Sequence, residues 1–255
     1  MNQNTSNKSI VRDFYRRAIG QGDIAFAEQI IADAYIQHSP MVKAGKSGLM
    51  ESLAYLKKMP RPANPTKPFM RLIAEGDYVV TNTSFNLGGK QKAVVDIFRF
   101  QDGKIVEHWD AIQDQPEVSL NGNAMMDGDE EVEAGGVDKA NKQLVTELYE
   151  QVFVGRKLDQ LNWYVSSSLQ QHNPTVANGI TGLRNYIANG REVSYEKVHR
   201  VIGEGSFVVV QAEGKWYSQP AVFYDIFRVD NGKVVEQWSV YQTIPAQMPH
   251  ENGMI

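Results

Sequence analysis

The apolar positions of the first sixty residues carry a helical period, and those that follow carry the period of strands. Ile10, Val11, Phe14, Tyr15, Ala18 and Ile19 recur at three to four residues, which predicts an amphipathic helix over residues 8–19 closed by Gly20 and Gly22. Asp23 can cap a second helix over 24–34, with Ile24, Ala27, Ile30 and Ile31 on its buried side. Residues 35–38 read as a short extended piece that Pro40 stops. Ser47 opens a third helix that buries Leu49, Leu53 and Leu56. Residues 59–68 are Pro-rich and predict a loop, a rim over whatever lies beneath. Strands are expected over 69–74, 78–86, 90–100 and 105–112, with Gly76-Asp77, Gly88-Gly89 and Asp102-Gly103 at the turns. Three helices before an antiparallel meander give an α+β pattern, with the helices on one face of a curved sheet that wraps into a cone with an open mouth. Such a concavity is a common place for a small pocket.

The last hairpin, Asp96-Ile97-Phe98-Arg99 through Asp102-Gly103 to Glu107-His108-Trp109-Asp110, occurs again at an offset of 129 as Asp225-Ile226-Phe227-Arg228 through Asn231-Gly232 to Glu236-Gln237-Trp238-Ser239. Asn141-Lys142 matches Asn7-Lys8, and Gln171-His172-Asn173-Pro174 matches Gln37-His38-Ser39-Pro40, at an offset of 134. The chain is therefore a tandem duplication whose second copy is shorter in the region of the Pro-rich rim. The expected units are residues 7–113 and 139–244, joined by an acidic linker over 114–138 and followed by a tail over 245–255. The tail has no periodicity, and is expected to be mobile or to lie across a neighbouring surface.

With 255 residues, 42% of them hydrophobic, the chain can fill two ordinary cores. Net charge is -4 and no basic run occurs, so the electrostatic footprint of a nucleic-acid binder is missing. The absence of Cys removes disulfides, thiolate catalysis and sulfur-ligated metals. The N-terminus lacks the pattern of a secretory signal and no apolar run is long enough to span a bilayer, which predicts a cytoplasmic protein without membrane contact. Residues 113–138 hold eight Asp or Glu and no Lys or Arg, leaving +4 on the rest. That charge predicts a solvated tether, or else an acidic segment docked on the other surface.

With a strand period of two, Val106, His108, Asp110 and Ile112 share one face, and Ile105, Glu107, Trp109 and Ala111 the other. His108 and Asp110 are the leading catalytic candidates: a carboxylate in an apolar pocket becomes a stronger base, and an imidazole beside it can orient it, donate or shuttle a proton. Asp96 could accept from His108 across the hairpin, if its face looks inward; if outward, Arg99 and Arg228 are the inward residues. His38 either points into the pocket or, since His172 is kept in the second copy, fastens a turn. The counterparts in the second copy are His172, Asp225, Gln237 and Ser239, so there the ionisable pair is lost. Trp109 and Trp238 are expected to pack where the two units meet, making the chain an internal dimer; a homo-oligomer is left open. His38, Asp96, His108 and Asp110 could ligate a metal, but no ligand spacing is recognisable, and no metal is expected. Glycines spaced as turns provide no phosphate loop, and no Ser sits on a nucleophile elbow.

Tyr35-Ile36-Gln37-His38-Ser39-Pro40, Gly45, Asp96-Ile97-Phe98-Arg99 and residues 102–110 together resemble the SnoaL-like polyketide cyclases of the nuclear transport factor 2-like superfamily, over residues 7–113 and again 141–243. The resemblance implies two tandem cone-shaped α+β barrel domains with deep pockets, and cofactor-free aldol cyclisation of a small hydrophobic or carbonyl-containing ligand. On that basis Asp110 stands at the acid/base position with His108 nearby, and His38, Asp96 and Phe98 line the ligand site. The same fold also serves noncatalytic binders, isomerases and epoxide hydrolases. A hydrolase would need Asp96, Arg99 and Asp110 to converge on one water.

Overall fold

The computed structural model describes residues 3–59, 69–133 and 136–255. Helix α1 (Gln3–Asp13) continues into a π-helical stretch (Phe14–Ile19). Helix α2 (Ile24–Ile30) starts where Asp23 Oδ1 accepts from the Phe26 amide at 3.1 Å, as the capping residue predicts. Then come β1 (Ile31–Gln37), α3 (Gly45–Leu56), β2 (Phe69–Glu75), β3 (Tyr78–Leu87), β4 (Lys90–Gln101) and β5 (Lys104–Asp114). The second half repeats the order: α4 (Lys139–Leu148), a π-helical stretch (Tyr149–Val154), α5 (Leu161–Tyr164), β6 (Val165–Gln171), α6 (Gly179–Ala188), β7 (Val193–Glu204), β8 (Phe207–Trp216), β9 (Gln219–Asp230) and β10 (Lys233–Thr243). The hairpin turns have the left-handed backbone that their residues favour, with φ of 51° and 74° at Asp102-Gly103 and 48° and 69° at Asn231-Gly232. The second predicted helix is shorter than expected, because the chain turns extended at Ile31 to pair with β5. Of the Pro-rich rim, residues 60–68 lie outside the described residues.

Both halves are α+β, with helices against a five-stranded sheet, but neither sheet is a cone. The strand orders β1-β5-β4-β3-β2 and β6-β10-β9-β8-β7 are open, with each outer strand paired on one side only. Nor is the sheet wholly antiparallel: β1 runs parallel to β5, and β6 to β10. The expectation of a curled, closed barrel fails because each sheet has a second apolar face. A sheet that buries its helix-facing side chains by curling needs no further cover; these two remain open and pack against each other.

The two halves form a pseudo-dimer around a shared core that includes Ile97, Trp109, Ala111, Val222, Tyr224, Ile226, Trp238 and Val240. The expected place of Trp109 and Trp238 is thus the observed one, and the contacts around them are reciprocal. The Arg71 guanidinium lies 3.7 Å above the Trp238 ring, and that of Arg200 3.8 Å above Trp109. Lys8 pairs with Glu204 at 2.5 Å and Lys142 with Glu75 at 2.6 Å. Glu204 also accepts from the Ala74 amide, and Glu75 from that of Gly203, each at 2.7 Å. Every one of these pairs maps onto the other through the internal repeat.

The segments after β5 and β10 take the docked one of the two arrangements that the sequence left open. Residues 121–126 do not form a solvated tether: they cross the second half. Asn121 Nδ2 donates to the carbonyls of Asn173 and Val176, and Asn123 Nδ2 donates to that of Gln171 at 2.8 Å. Met125 and Met126 are buried in the shared core. Acidic residues follow, but their backbone does much of the docking: Arg71 donates to the carbonyls of Asp127 and Asp129, and Trp238 Nε1 to that of Asp127. The C-terminal tail crosses the first half in the same way. Asn252 Nδ2 donates to the Gln37 carbonyl at 2.9 Å, and Met254 is buried in the shared core. Asn123-Ala124-Met125-Met126 and Asn252-Gly253-Met254-Ile255 keep the offset of 129, so linker and tail are one repeated strap, each laid over the opposite half.

Candidate functional site

In the first half the β-bulge-free stretch of the β4/β5 pair sets Asp96 opposite Asp110 and Phe98 opposite His108. Their side chains share the helix-facing side, and β1 brings Gln37 beside His108. His108 Nε2 lies 3.0 Å from Asp96 Oδ1, and its Nδ1 lies 3.0 Å from Gln37 Oε1. Asp96 Oδ2 accepts from the Tyr15 hydroxyl at 2.5 Å and from Thr81 at 2.9 Å. Tyr15 lies in the π-helical stretch. Gln37 Oε1 also accepts from the Ser39 amide, while Gln37 Nε2 donates to the Tyr35 hydroxyl, so its oxygen must face His108.

Those contacts fix the state of His108. Both ring nitrogens face acceptors, so a neutral ring would leave one lone pair against an oxygen, and the imidazolium is favoured. Burial alone would lower the His108 pKa; the hydrogen bond and charge of Asp96, aided by Asp110, outweigh it and raise it. Asp110 is only half-buried, in contrast to Asp96 and His108, yet its Oδ1 is shielded and has no partner. Desolvation pushes its carboxyl up to about 6; His108 opposes this, Asp96 adds to it, and Ser39 and His250 oppose it in smaller measure. Asp96, His108 and Asp110 each offer a ligand atom, all within 4.8 Å of one another, a spacing fit for a metal ion. A cation there would have to replace the proton between His108 and Asp96. The donor set suits the ion only at that cost.

Phe98 is buried in the core between helix and sheet, with its ring 4.7 Å from that of His108. His38 is not part of this group. It stacks on Trp109 at 4.9 Å, with Nε2 2.9 Å from Glu107 Oε1 and Nδ1 3.1 Å from the Gly253 carbonyl, on the opposite side of β5. Arg99 binds Glu107 there too, at 2.6 Å, so it cannot converge with Asp96 and Asp110. His172 repeats the arrangement of His38 with Trp238, Glu236 and the Ala124 carbonyl. Retention of both histidines therefore tracks the straps they hold.

The second half keeps the frame of the site and its first carboxyl, Asp225, but neither the imidazole nor the second carboxyl. Tyr149 donates to Asp225 Oδ2 at 2.7 Å, Gln237 Nε2 to Asp225 Oδ1 at 3.2 Å, and Gln171 Nε2 to Gln237 Oε1 at 2.7 Å. An amide thus takes the place of the imidazole, and the buried Ser239 that of Asp110. Asp225 has no cationic neighbour in this set, and burial raises its pKa. Beyond Ser239 the space is filled by rings: Phe223, Tyr241 and Tyr195 pack together, where the first half has Val94 and Ile112 at the positions matching Phe223 and Tyr241.

One residue of the first site escaped the sequence. His250, in the C-terminal strap, is buried with Nε2 2.8 Å from the Ser39 carbonyl, and its charge acts on Asp110. The repeated strap was the only signal that could have found it, since His250 aligns with Asn121.

Comparison with known proteins gives a match at the level of the superfamily. The family model described as a SnoaL-like domain matches residues 11–108. Among solved structures, the chain is similar to TsrD from Streptomyces laurentii (21% identity over 42% of this chain and 91% of that one, TM-score 0.35). It is also similar to an NTF-2 like protein of unknown function from Burkholderia xenovorans (20%, 46% and 89%, TM-score 0.38) and to an LEH-like epoxide hydrolase from M. tuberculosis (14%, 40% and 83%, TM-score 0.34). Each of these spans less than half of this chain. No curated protein matches it. No helix among the described residues is long and apolar enough to cross a membrane.

Proposed function

We propose that the first half is a cofactor-independent acid/base enzyme that removes a proton from the carbon beside a carbonyl of a small polyketide-like compound, the step that opens an aldol-type cyclisation. The observation that carries this reading is Asp110: a half-buried carboxyl, raised to about 6, with an unpartnered oxygen beside a buried ion pair. A base with such a pKa is stronger than an ordinary Asp and still ionised at neutral pH, the combination that general-base catalysis favours. His108 has both nitrogens committed to Asp96 and Gln37, so its part is electrostatic. Its positive charge steadies the ionised Asp110 and the enolate that forms next to it. After ring closure the protonated Asp110 returns its proton to the aldol oxygen. The ring-filled second half, with Ser239 and Gln237, serves as scaffold in this reading.

The test is exchange of the protons alpha to the carbonyl of 1-tetralone in D2O, followed by proton NMR. The intact chain should accelerate exchange, and Asp110→Asn should lower the rate by about 100-fold or more. Equal rates for the two proteins would leave a noncatalytic binding protein as the better description.

A further inference from the structure

The C-terminal strap does more at the first site than its counterpart does at the second. Asn121 and His250 stand at the same place in the two straps and bind the same backbone carbonyl, that of Asn173 in one half and Ser39 in the other. Asn121 spends its amide there and on the Val176 carbonyl. His250 spends one nitrogen only. A carbonyl can only accept, so Nε2 carries the proton, and in the neutral ring Nδ1 is then a bare acceptor. That Nδ1 is shielded from solvent and has no partner, in a side chain that is 8% exposed. An unpaired buried polar atom costs stability, so this one calls for a hydrogen-bond donor. Asp110 Oδ1 is a second such atom.

We propose that the first site is composite: the strap from the second half delivers His250 as a positioning residue, whose Nδ1 accepts from a hydroxyl of a hydroxylated aromatic ketone held at Asp110. The proposal rests on the reading of Asp110 as the site's working carboxylate. It also gives the duplication a use, since the second half, without an ionisable pair of its own, supplies the residue that completes the first.

The decisive variant is His250→Asn, which places the chemistry of Asn121 in the strap and so keeps the bond to Ser39. Seating of the strap is checked by amide hydrogen exchange of residues 252–254, which should not change. Dissociation constants for 1-tetralone and its monohydroxylated isomers are measured by NMR titration on the intact chain and on the variant. The intact chain should bind at least one hydroxylated isomer about tenfold more tightly than 1-tetralone, and His250→Asn should erase that preference. A wild-type chain without preference for any hydroxylated isomer, or a variant that retains the preference, overturns the proposal. Neither readout needs turnover, so failure of Asp110→Asn to slow exchange would sink the enzymatic reading separately.

Discussion

Asp110 shows how far the two demands on one side chain can diverge. Its carboxyl titrates near 6 in the folded chain, against an ordinary value of 3.8. Between those values the folded state holds more protons than the unfolded one, so stability falls as pH rises through this window. Below it both states are protonated and nothing is lost; above it the folded chain carries the full cost of an ionised, partly desolvated group. Asp110→Asn has no such pH dependence. Urea titrations from pH 4 to 8 should show the variant gaining about 1–3 kcal/mol relative to the wild type as pH rises through about 6, after allowance for solvent screening of a half-buried group, and no further change above that. Parallel curves would mean that Asp110 is not perturbed. At this scale the sequence was informative but incomplete. Strand alternation put His108 and Asp110 on one face, and left open whether Asp96 joined them. Only the packing of Tyr15 and Gln37 against that face decides the matter, and neither contact has a local signature. The same alternation could not place His38, because its direction depends on what stacks beneath it, which is Trp109.

The straps are the elements that the sequence left undecided between a solvated and a docked segment, and the reason is physical. Helices and hairpins announce themselves by a repeating burial pattern, whereas a strap is held by a few amides and backbone groups on another part of the chain. Eight acidic residues over 113–138 argued for solvation, but docking here uses carbonyls and apolar side chains and leaves most of the carboxylates in water or paired. Gly128 is the tightest point. Its φ is +90°, and a Cβ added there would lie 2.1 Å from Glu236 Oε1 and 2.7 Å from His172 Nε2. Gly128→Ala should therefore cost about 2–4 kcal/mol in equilibrium unfolding, from backbone strain and overpacking together. It should also alter the near-UV signal of Trp238, while the Asp110 titration stays in place, since the first site is covered by the other strap. Unfolding within about 0.5 kcal/mol of wild type, the range of an ordinary surface change, would show that this segment is not seated as described.

At the scale of the molecule, the pseudo-dimer was legible from the repeat and from Trp109 and Trp238, while the open sheets were not: sequence alternation reports that both faces are apolar in places, but not whether the second face meets water, a curled sheet or a partner. The reciprocity of the interface makes that partner testable. Each contact is built from residues present in both halves, so a chain ending at residue 133 would expose a surface complementary to itself. In a dimer of that fragment, Arg71 could stack on the Trp109 of the other copy, Lys8 could meet Glu75, and the strap over 121–126 could cross Gln37 and Ser39. Sedimentation of the fragment should therefore show a two-fold dimer rather than a monomer. One difference is built in: Asn121 would replace His250 at Ser39. Asp110 in the fragment dimer should accordingly titrate above its value in the intact chain, without the nearby imidazole that opposes its rise. A monomeric fragment would show that the shared core needs the inequality of the two halves, and not merely their common pattern, to hold together.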